Sequence, residues 1–184
     1  AELVGISMCV KPGHACYIPL AHRSQEVASE LNFTNSSKDF SQKNEPLVQI
    51  PMKEALDILG PLLTNQSVLK IGHNLKYDIV VLRRHGISVS PIDDTMLMSY
   101  ILDGGSHGHS MDELAELHLG HTTIKFKEVA GTGKSQTTFD FVPLDKALAY
   151  AAEDADMTLQ FHRLFKPRLL TKHLVTPYET LERP

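Results

Sequence analysis

The chain has 184 residues, of which 42% are hydrophobic and 22% charged, and its formal net charge is −4. That length suits one domain with a sizeable core, and no apolar run is long enough for a membrane span. The acidic balance argues against binding polyanions through a broad basic face, yet it leaves room for a small acidic site that reaches phosphate through metal ions.

No signal-peptide pattern opens the sequence, and a start at Ala1 in strand-like residues reads as a fragment of something larger. Leu3–Val10 predicts a strand, Lys11–His14 a turn and Ala15–Leu20 a second strand. With Val10 paired to Ala15, Cys9 falls opposite Cys16, near enough for a disulfide. Two cysteines without a secretion signal are more often reduced core thiols. Residues 23–46 are polar and rich in Ser, Asn, Gln and Lys, which predicts a long surface loop of no assigned role.

Pro51 opens a helix over M-K-E-A-L-D-I-L-G-P-L-L. Val68–Gly72 predicts a short strand, followed by a helix that Gly86 closes, with Arg83, Arg84 and His85 in its last turn. Asp94 is placed to cap the helix T-M-L-M-S-Y-I-L. Ser110 is placed to cap M-D-E-L-A-E-L-H-L, with Glu113 at capping-box spacing. Gly104, Gly105 and Gly108 mark the loop between them. A short helix covers Phe126–Ala130, where Lys125, Lys127 and Lys134 make the one locally basic stretch. None of the ten histidines sits in a recognisable zinc spacing; His107-Gly-His109 comes closest, and a polar loop accounts for it.

The last element is a long helix from Pro143 to Leu170. Leu144, Ala147, Leu148, Ala151, Ala155 and Leu159 give its apolar stripe. At about 100° per residue, Glu153 and Asp156 point to solvent, whereas Asp154 lies at the edge of the buried face one turn beyond Tyr150. A buried carboxylate needs compensation, and for a lone helix a nearby Lys or Arg is the ordinary source. A second such carboxylate is Asp78, in the first turn of the helix after the Val68 strand. Val81 and Leu82 turn it inward, at the carboxyl end of a strand, where open sheets hold ligands. An acid that merely favours the helix dipole is the plainer account of Asp78 taken alone. Strands paired early, followed by a strand and helices, make an α/β domain.

Read together, N-L-K-Y-D at 74–78 and Y-A-A-E-D at 150–154 resemble the 3′–5′ exonuclease (proofreading) domain of family-A bacterial DNA polymerases, in the DEDD exonuclease superfamily. The likeness also runs through L-V-G-I-S, Y-I-P-L-A-H, D-T-M-L-M-S-Y-I-L, M-D-E-L-A and F-K-E-V-A-G-T-G-K. Tyr150 four residues before Asp154 matches the tyrosine variant of the third exonuclease motif. The resemblance covers residues 1–184 as one exonuclease domain and implies a ribonuclease-H-like fold, a mixed sheet flanked by helices. Family members carry an Asp-x-Glu motif on a first strand. No Asp-x-Glu occurs in this sequence, so that strand is expected to be missing and the domain incomplete at its N-terminus.

The resemblance implies removal of 3′-terminal nucleotides from DNA by two-metal catalysis, with Mg²⁺ or Mn²⁺ as cofactor. Asp78 and Asp154 are then metal ligands, and Tyr150 orients the attacking water. Asn74 holds the terminal nucleotide, and Phe126 stacks on a single-stranded 3′ end. From the sequence itself, a core Phe126 is as good a reading. The implied partners are DNA and a polymerase domain following Pro184, with no membrane, in the cytoplasm. With two of four expected carboxylates, residues 1–184 alone are expected to be inactive. Two alternatives share these motifs: a degenerate domain that only supports a polymerase, and an RNA-trimming exonuclease.

Overall fold

A computed structural model describes residues 2–23 and 47–183, apart from the Lys134 side chain; most of the long polar stretch, 24–46, lies outside the described residues. Strands β1 (Gly5–Lys11) and β2 (His14–Pro19) form an antiparallel hairpin. Helix α1 (Met52–Thr64) follows, with Pro51 at its N-cap. Next come β3 (Lys70–Gly72), α2 (Lys76–Arg84), β4 (Ile92–Asp94), α3 (Thr95–Asp103), α4 (Met111–Leu119) and α5 (Phe126–Ala130). Helix α6 (Leu144–Thr171) is the longest element, and two short helical turns, Val175–Pro177 and Tyr178–Glu182, close the described chain.

Caps fall where the sequence places them. The Asp94 carboxylate accepts hydrogen bonds from the Met96 and Leu97 amides. Ser110 Oγ accepts from the Glu113 amide, and the Glu113 side chain returns to accept from the Gly108 amide.

The sheet differs from expectation. Among the described residues, one mixed sheet holding the first three strands is not found: β1 pairs only with β2, and β3 pairs in parallel with β4, a strand the sequence reading missed. Three residues are too few to carry a visible alternation, and Ile92-Asp93-Asp94 reads as an acidic cap instead. The two ladders are not hydrogen-bonded to each other, and a cleft opens between them, lined by Gly5 and Ser7 on one side and by His73 and Asn74 on the other. Ladder bonds need strands about 4.8 Å apart, and none of the described strands fills that space. The architecture is α/β, with helices flanking a small divided sheet.

The hairpin register also needs correction. Cys9 lies opposite Ala15 and Met8 opposite Cys16, because the ladder shifts between Cys9 and Lys11. One extra residue in a strand moves every later pair by one, so the two thiols are not cross-strand partners, and both are free.

Helix α6 is the spine. Its second half buries Met157, Phe161, Phe165 and Leu169 against Met98, Leu102, Leu114 and Tyr178. Phe161 and Phe165 stack with ring centroids 5.8 Å apart. Each such side chain stabilises the fold by about 1.5–3 kcal/mol through burial. The first half buries the small Ala147 and Ala151, while Leu148, expected in the stripe, stays 48% exposed.

Glu153 and Asp156 do not point freely to solvent. Glu153 accepts from the Ile124 amide at 2.6 Å and pairs with His121 at 2.7 Å. Asp156 accepts from the Gly13 amide at 2.7 Å and from Gln160 at 2.8 Å. The helical wheel fails here because α6 is flanked on several sides, so its shoulders meet the β1–β2 turn and the 121–124 segment rather than water.

Candidate active site

The cleft between the ladders has a volume of about 430 Å³ and is lined by Asn74, Asp78, Phe126, Tyr150 and Asp154, all five site residues expected from the sequence. Asp78 arrives on the first turn of α2 and Asp154 on α6, so two helices remote in sequence deliver carboxylates to one space.

Asn74 sits at φ 62°, in the left-handed region, where its turn from β3 into α2 needs a fixed anchor. Asp94 supplies it, accepting from the Asn74 amide at 3.1 Å and the Leu75 amide at 2.8 Å. No side chain of its own segment caps α2, so one carboxylate caps α3 and also holds the entry to α2. The sequence reading saw only the first of these roles. His73 beside it is fixed at both ring nitrogens, 2.9 Å from Thr95 Oγ1 and 3.1 Å from the His109 carbonyl oxygen. Burial lowers its pKa.

The two acids are held out of their ordinary range. Burial pushes Asp154 up to about 7; a hydrogen bond from Tyr150 opposes this, and the negative charges of Glu153 and Asp112 add to it. Asp78 is raised too, again chiefly by burial, with its own backbone amide opposing and Asp94 adding. Repulsion between Asp78 and Asp154, the cause anticipated from two like charges in one cleft, is not what raises either group. Among the described residues, no Lys or Arg forms an ion pair with either acid. The expected compensation is therefore absent, and a half-buried Asp154 beside a more exposed Asp78, neither paired with a cationic side chain, suits a hard divalent cation.

This shift has a sign that can be measured. A carboxyl whose folded pKa lies above its unfolded value near 4 takes up a proton on folding, so stability falls as pH rises from about 4 to 7 and then levels. Asp154→Asn removes the charge but keeps the shape. It is expected to raise the melting temperature of the metal-free chain at pH 8 by about 4–8 °C, with no gain at pH 4. A melting curve at each pH checks this, and an equal change at both values refutes it.

Aromatic rings form one wall. Phe126 and Phe139 stack at 6.3 Å, and Tyr150 meets both, at 6.0 and 5.9 Å. Tyr17 joins edge-on at 6.3 Å from Phe139. Phe126 is 42% exposed, which rules out the reading of it as a core residue. Tyr17 and Phe139 were not found from the sequence, since single aromatics in a strand and a loop carry no pattern. Gly5 is where the wall meets the strand: a Cβ there would come 2.2 Å from the Tyr17 hydroxyl oxygen, so only glycine lets that ring lie across β1.

Among the described residues, one grouping of three metal-donor side chains is close enough for a single ion, and it is outside the cleft: Asp103, His107 and His118. Of these three, the sequence singles out only His107, within His107-Gly-His109, for which a polar loop is a sufficient account; Asp103 and His118 come from separate helices.

Comparison with known proteins assigns this arrangement to a family. A family model described as 3′–5′ exonuclease, of the DNA polymerase A group, matches residues 1–170. DNA polymerase I of Rhizobium leguminosarum is 45% identical over 193 aligned residues, covering 100% of this chain and 18% of that protein. DNA polymerase I of Pseudomonas aeruginosa is 39% identical, covering 92% of this chain and 17% of that one. The chain thus spans less than a fifth of the length of these relatives. Among solved structures, Brucella melitensis NrnC aligns with a TM-score of 0.55 at 20% identity over 66% of this chain and 56% of that one, a likeness of fold. By this family match and by its near-full-length similarity to those polymerases, the chain belongs to the 3′–5′ exonuclease domain family of bacterial DNA polymerase I.

Proposed function

We propose that residues 1–184 form the proofreading exonuclease domain of a DNA polymerase I, which works in the cytoplasm and hydrolyses 3′-terminal nucleotides from single-stranded DNA ends. The observation that carries this reading is the meeting of Asp78 and Asp154, with Tyr150 and Asn74, in one cleft beside a wall of aromatic rings. Asp78 and Asp154 are the residues that would hold Mg²⁺ or Mn²⁺. When bound, two such ions stabilise charge on the attacking and leaving oxygens of a phosphodiester. One structure of the Brucella neighbour is described as having bound Mg²⁺, which agrees with this assignment.

The chain's own residues have separable tasks. The Tyr150 hydroxyl donates a hydrogen bond to Asp154. Its oxygen lone pairs are then free to accept a hydrogen bond from the attacking water. Burial and the neighbouring acids push the Tyr150 hydroxyl pKa up, so it positions the water rather than removing its proton. Asn74, whose backbone is held by Asp94, offers its side-chain amide to the terminal nucleotide. Phe126 and Phe139 offer ring faces to unpaired bases, and stacking of this kind is indifferent to sequence, as removal of any mismatched base requires.

Tyr150→Phe removes the water's anchor and leaves both carboxylates in place. It is expected to slow hydrolysis about 10- to 100-fold, with the metal dissociation constant changed less than about 3-fold. Single-turnover digestion and a Mn²⁺ titration on the same sample check this. Metal affinity that falls as much as the rate contradicts the positioning role.

The described residues of the chain offer two cleft carboxylates, Asp78 and Asp154, to two cations. The isolated chain is therefore expected to bind Mg²⁺ no tighter than about millimolar and to degrade single-stranded DNA poorly. Robust metal-dependent digestion by the isolated chain contradicts that. A second reading, trimming of RNA ends, draws on the Brucella neighbour, one structure of which is described as bound to pGG. DNA and RNA oligonucleotides of one sequence, offered to a polymerase containing this chain, separate the two readings.

A further inference from the structure

The loop that joins α3 to α4 brings together three side chains that the cleft does not use. Asp103 ends α3, His107 lies in the loop, and His118 is in the last turn of α4. One ligand atom from each lies within 4.8 Å of the other two. We propose that Asp103, His107 and His118 bind a transition-metal dication of the zinc class, which ties the 104–110 loop to the end of α3 and to α4.

The hydrogen bonds around these groups favour that assignment. His107 Nδ1 lies 2.6 Å from the Gly108 carbonyl oxygen and donates to it. That bond fixes the tautomer and leaves the Nε2 lone pair for a metal, the pattern in which a carbonyl orients a ligating imidazole. His118 Nε2 is buried and has no hydrogen-bond partner among the described residues. A buried polar atom left unpaired is costly, and a metal bond would remove that cost.

Asp103 is already engaged. Arg168 Nη2 donates to both of its oxygens, at 3.0 and 2.7 Å, and Lys172 Nζ to one at 3.2 Å. These bonds keep it ionised and oriented, and a carboxylate with about four lone-pair sites still has room for one metal bond. The same two cations oppose a dication, which sets the affinity below that of a four-ligand structural site. Two imidazoles and one carboxylate, with water in the fourth position, make a tetrahedral set that suits Zn²⁺ better than the hard ions assigned to the cleft. At bond lengths of about 2.0–2.1 Å the donors must close to a spacing on the order of 3.3 Å, within reach of side-chain adjustment in a glycine-containing loop.

Co²⁺ is the probe, added at a few-fold excess to the 184-residue chain and followed by the visible absorption of four-coordinate cobalt. One equivalent is expected to bind and to be displaced by Zn²⁺. His107→Ala lies in the surface loop and leaves the core intact; it is expected to weaken binding at least about 100-fold, more than loss of an outer-shell partner usually costs. His118→Gln should do the same, with circular dichroism reporting that each variant folds. Absence of the cobalt band overturns the proposal. So does a band that survives His107→Ala or is lost in Asp78→Asn/Asp154→Asn, which would put the ion in the cleft. Because the cobalt signal does not depend on hydrolysis, this test can fail while the exonuclease reading stands, and the reverse.

Discussion

Asp78→Ala or Asp154→Ala, made in a polymerase that contains this chain, is expected to lower 3′–5′ hydrolysis by about 10³-fold or more while nucleotide addition continues at its usual rate. Both residues line the cleft, and their carboxylates lack a cationic partner among the described residues. Each removal deletes a charge that the phosphodiester chemistry needs and leaves the helix that carried it intact. A loss of three decades corresponds to about 4 kcal/mol of transition-state stabilisation. Exonuclease rates are read from a 5′-labelled single strand without nucleotides, and polymerisation from a primed template. Near-normal exonuclease activity in either variant contradicts the catalytic assignment.

Asp93→Ala is expected to cost about 3–5 kcal/mol of stability and about 10 °C in melting temperature. Asp93 is fully buried in β4 and gathers partners from the far end of the chain. Its carboxylate lies 2.8 Å from His162 Nε2, 3.0 Å from Lys166 Nζ and 3.3 Å from Arg183 Nη1. It also accepts from the Tyr178 hydroxyl at 3.1 Å, while that hydroxyl oxygen accepts from the Asp94 amide at 2.9 Å. Removing the acid strands these donors together.

Burial alone would raise the Asp93 pKa, but hydrogen bonds and charge from His162 and Lys166 outweigh it and hold the pKa low. A lowered carboxyl pKa contributes stability in full above about pH 4, lost as pH falls through the folded value. The Asp93→Ala deficit should therefore shrink in acid, the opposite trend to Asp154→Asn. Chemical denaturation at pH 7 and pH 3 checks both statements. A loss below 1 kcal/mol at pH 7 contradicts the network's role in pinning the Tyr178–Glu182 turn to β4.

These two acids illustrate what a sequence can reveal. Asp154 was legible because its hydrogen-bond donor Tyr150 lies one turn away on the same helix, where spacing alone fixes the neighbour. Asp93 was not, because its partners come from α6 and the closing turn, about 70 to 90 residues later. The second role of Asp94 was hidden for the same reason: a cap is a local pattern, whereas holding the Asn74 and Leu75 amides is a tertiary contact.

Helices and their caps were legible nearly to the residue, since each depends on neighbours within one turn. The strands were less so. A register shift between Cys9 and Lys11 changed the partners of both cysteines, and β4 was too short to show a period. The exposure assigned to Glu153 and Asp156 failed because a helical wheel assumes one buried face, and α6 has neighbours on several sides.

The central claim is that the cleft carboxylates hold catalytic metal. Anomalous scattering from a Mn²⁺-soaked crystal of a polymerase containing this chain tests it most directly. The account predicts a manganese peak within about 2.5 Å of carboxylate oxygens of Asp78 and Asp154, close to the Tyr150 hydroxyl. A cleft without a manganese peak, at a Mn²⁺ concentration that supports hydrolysis in solution, would contradict it.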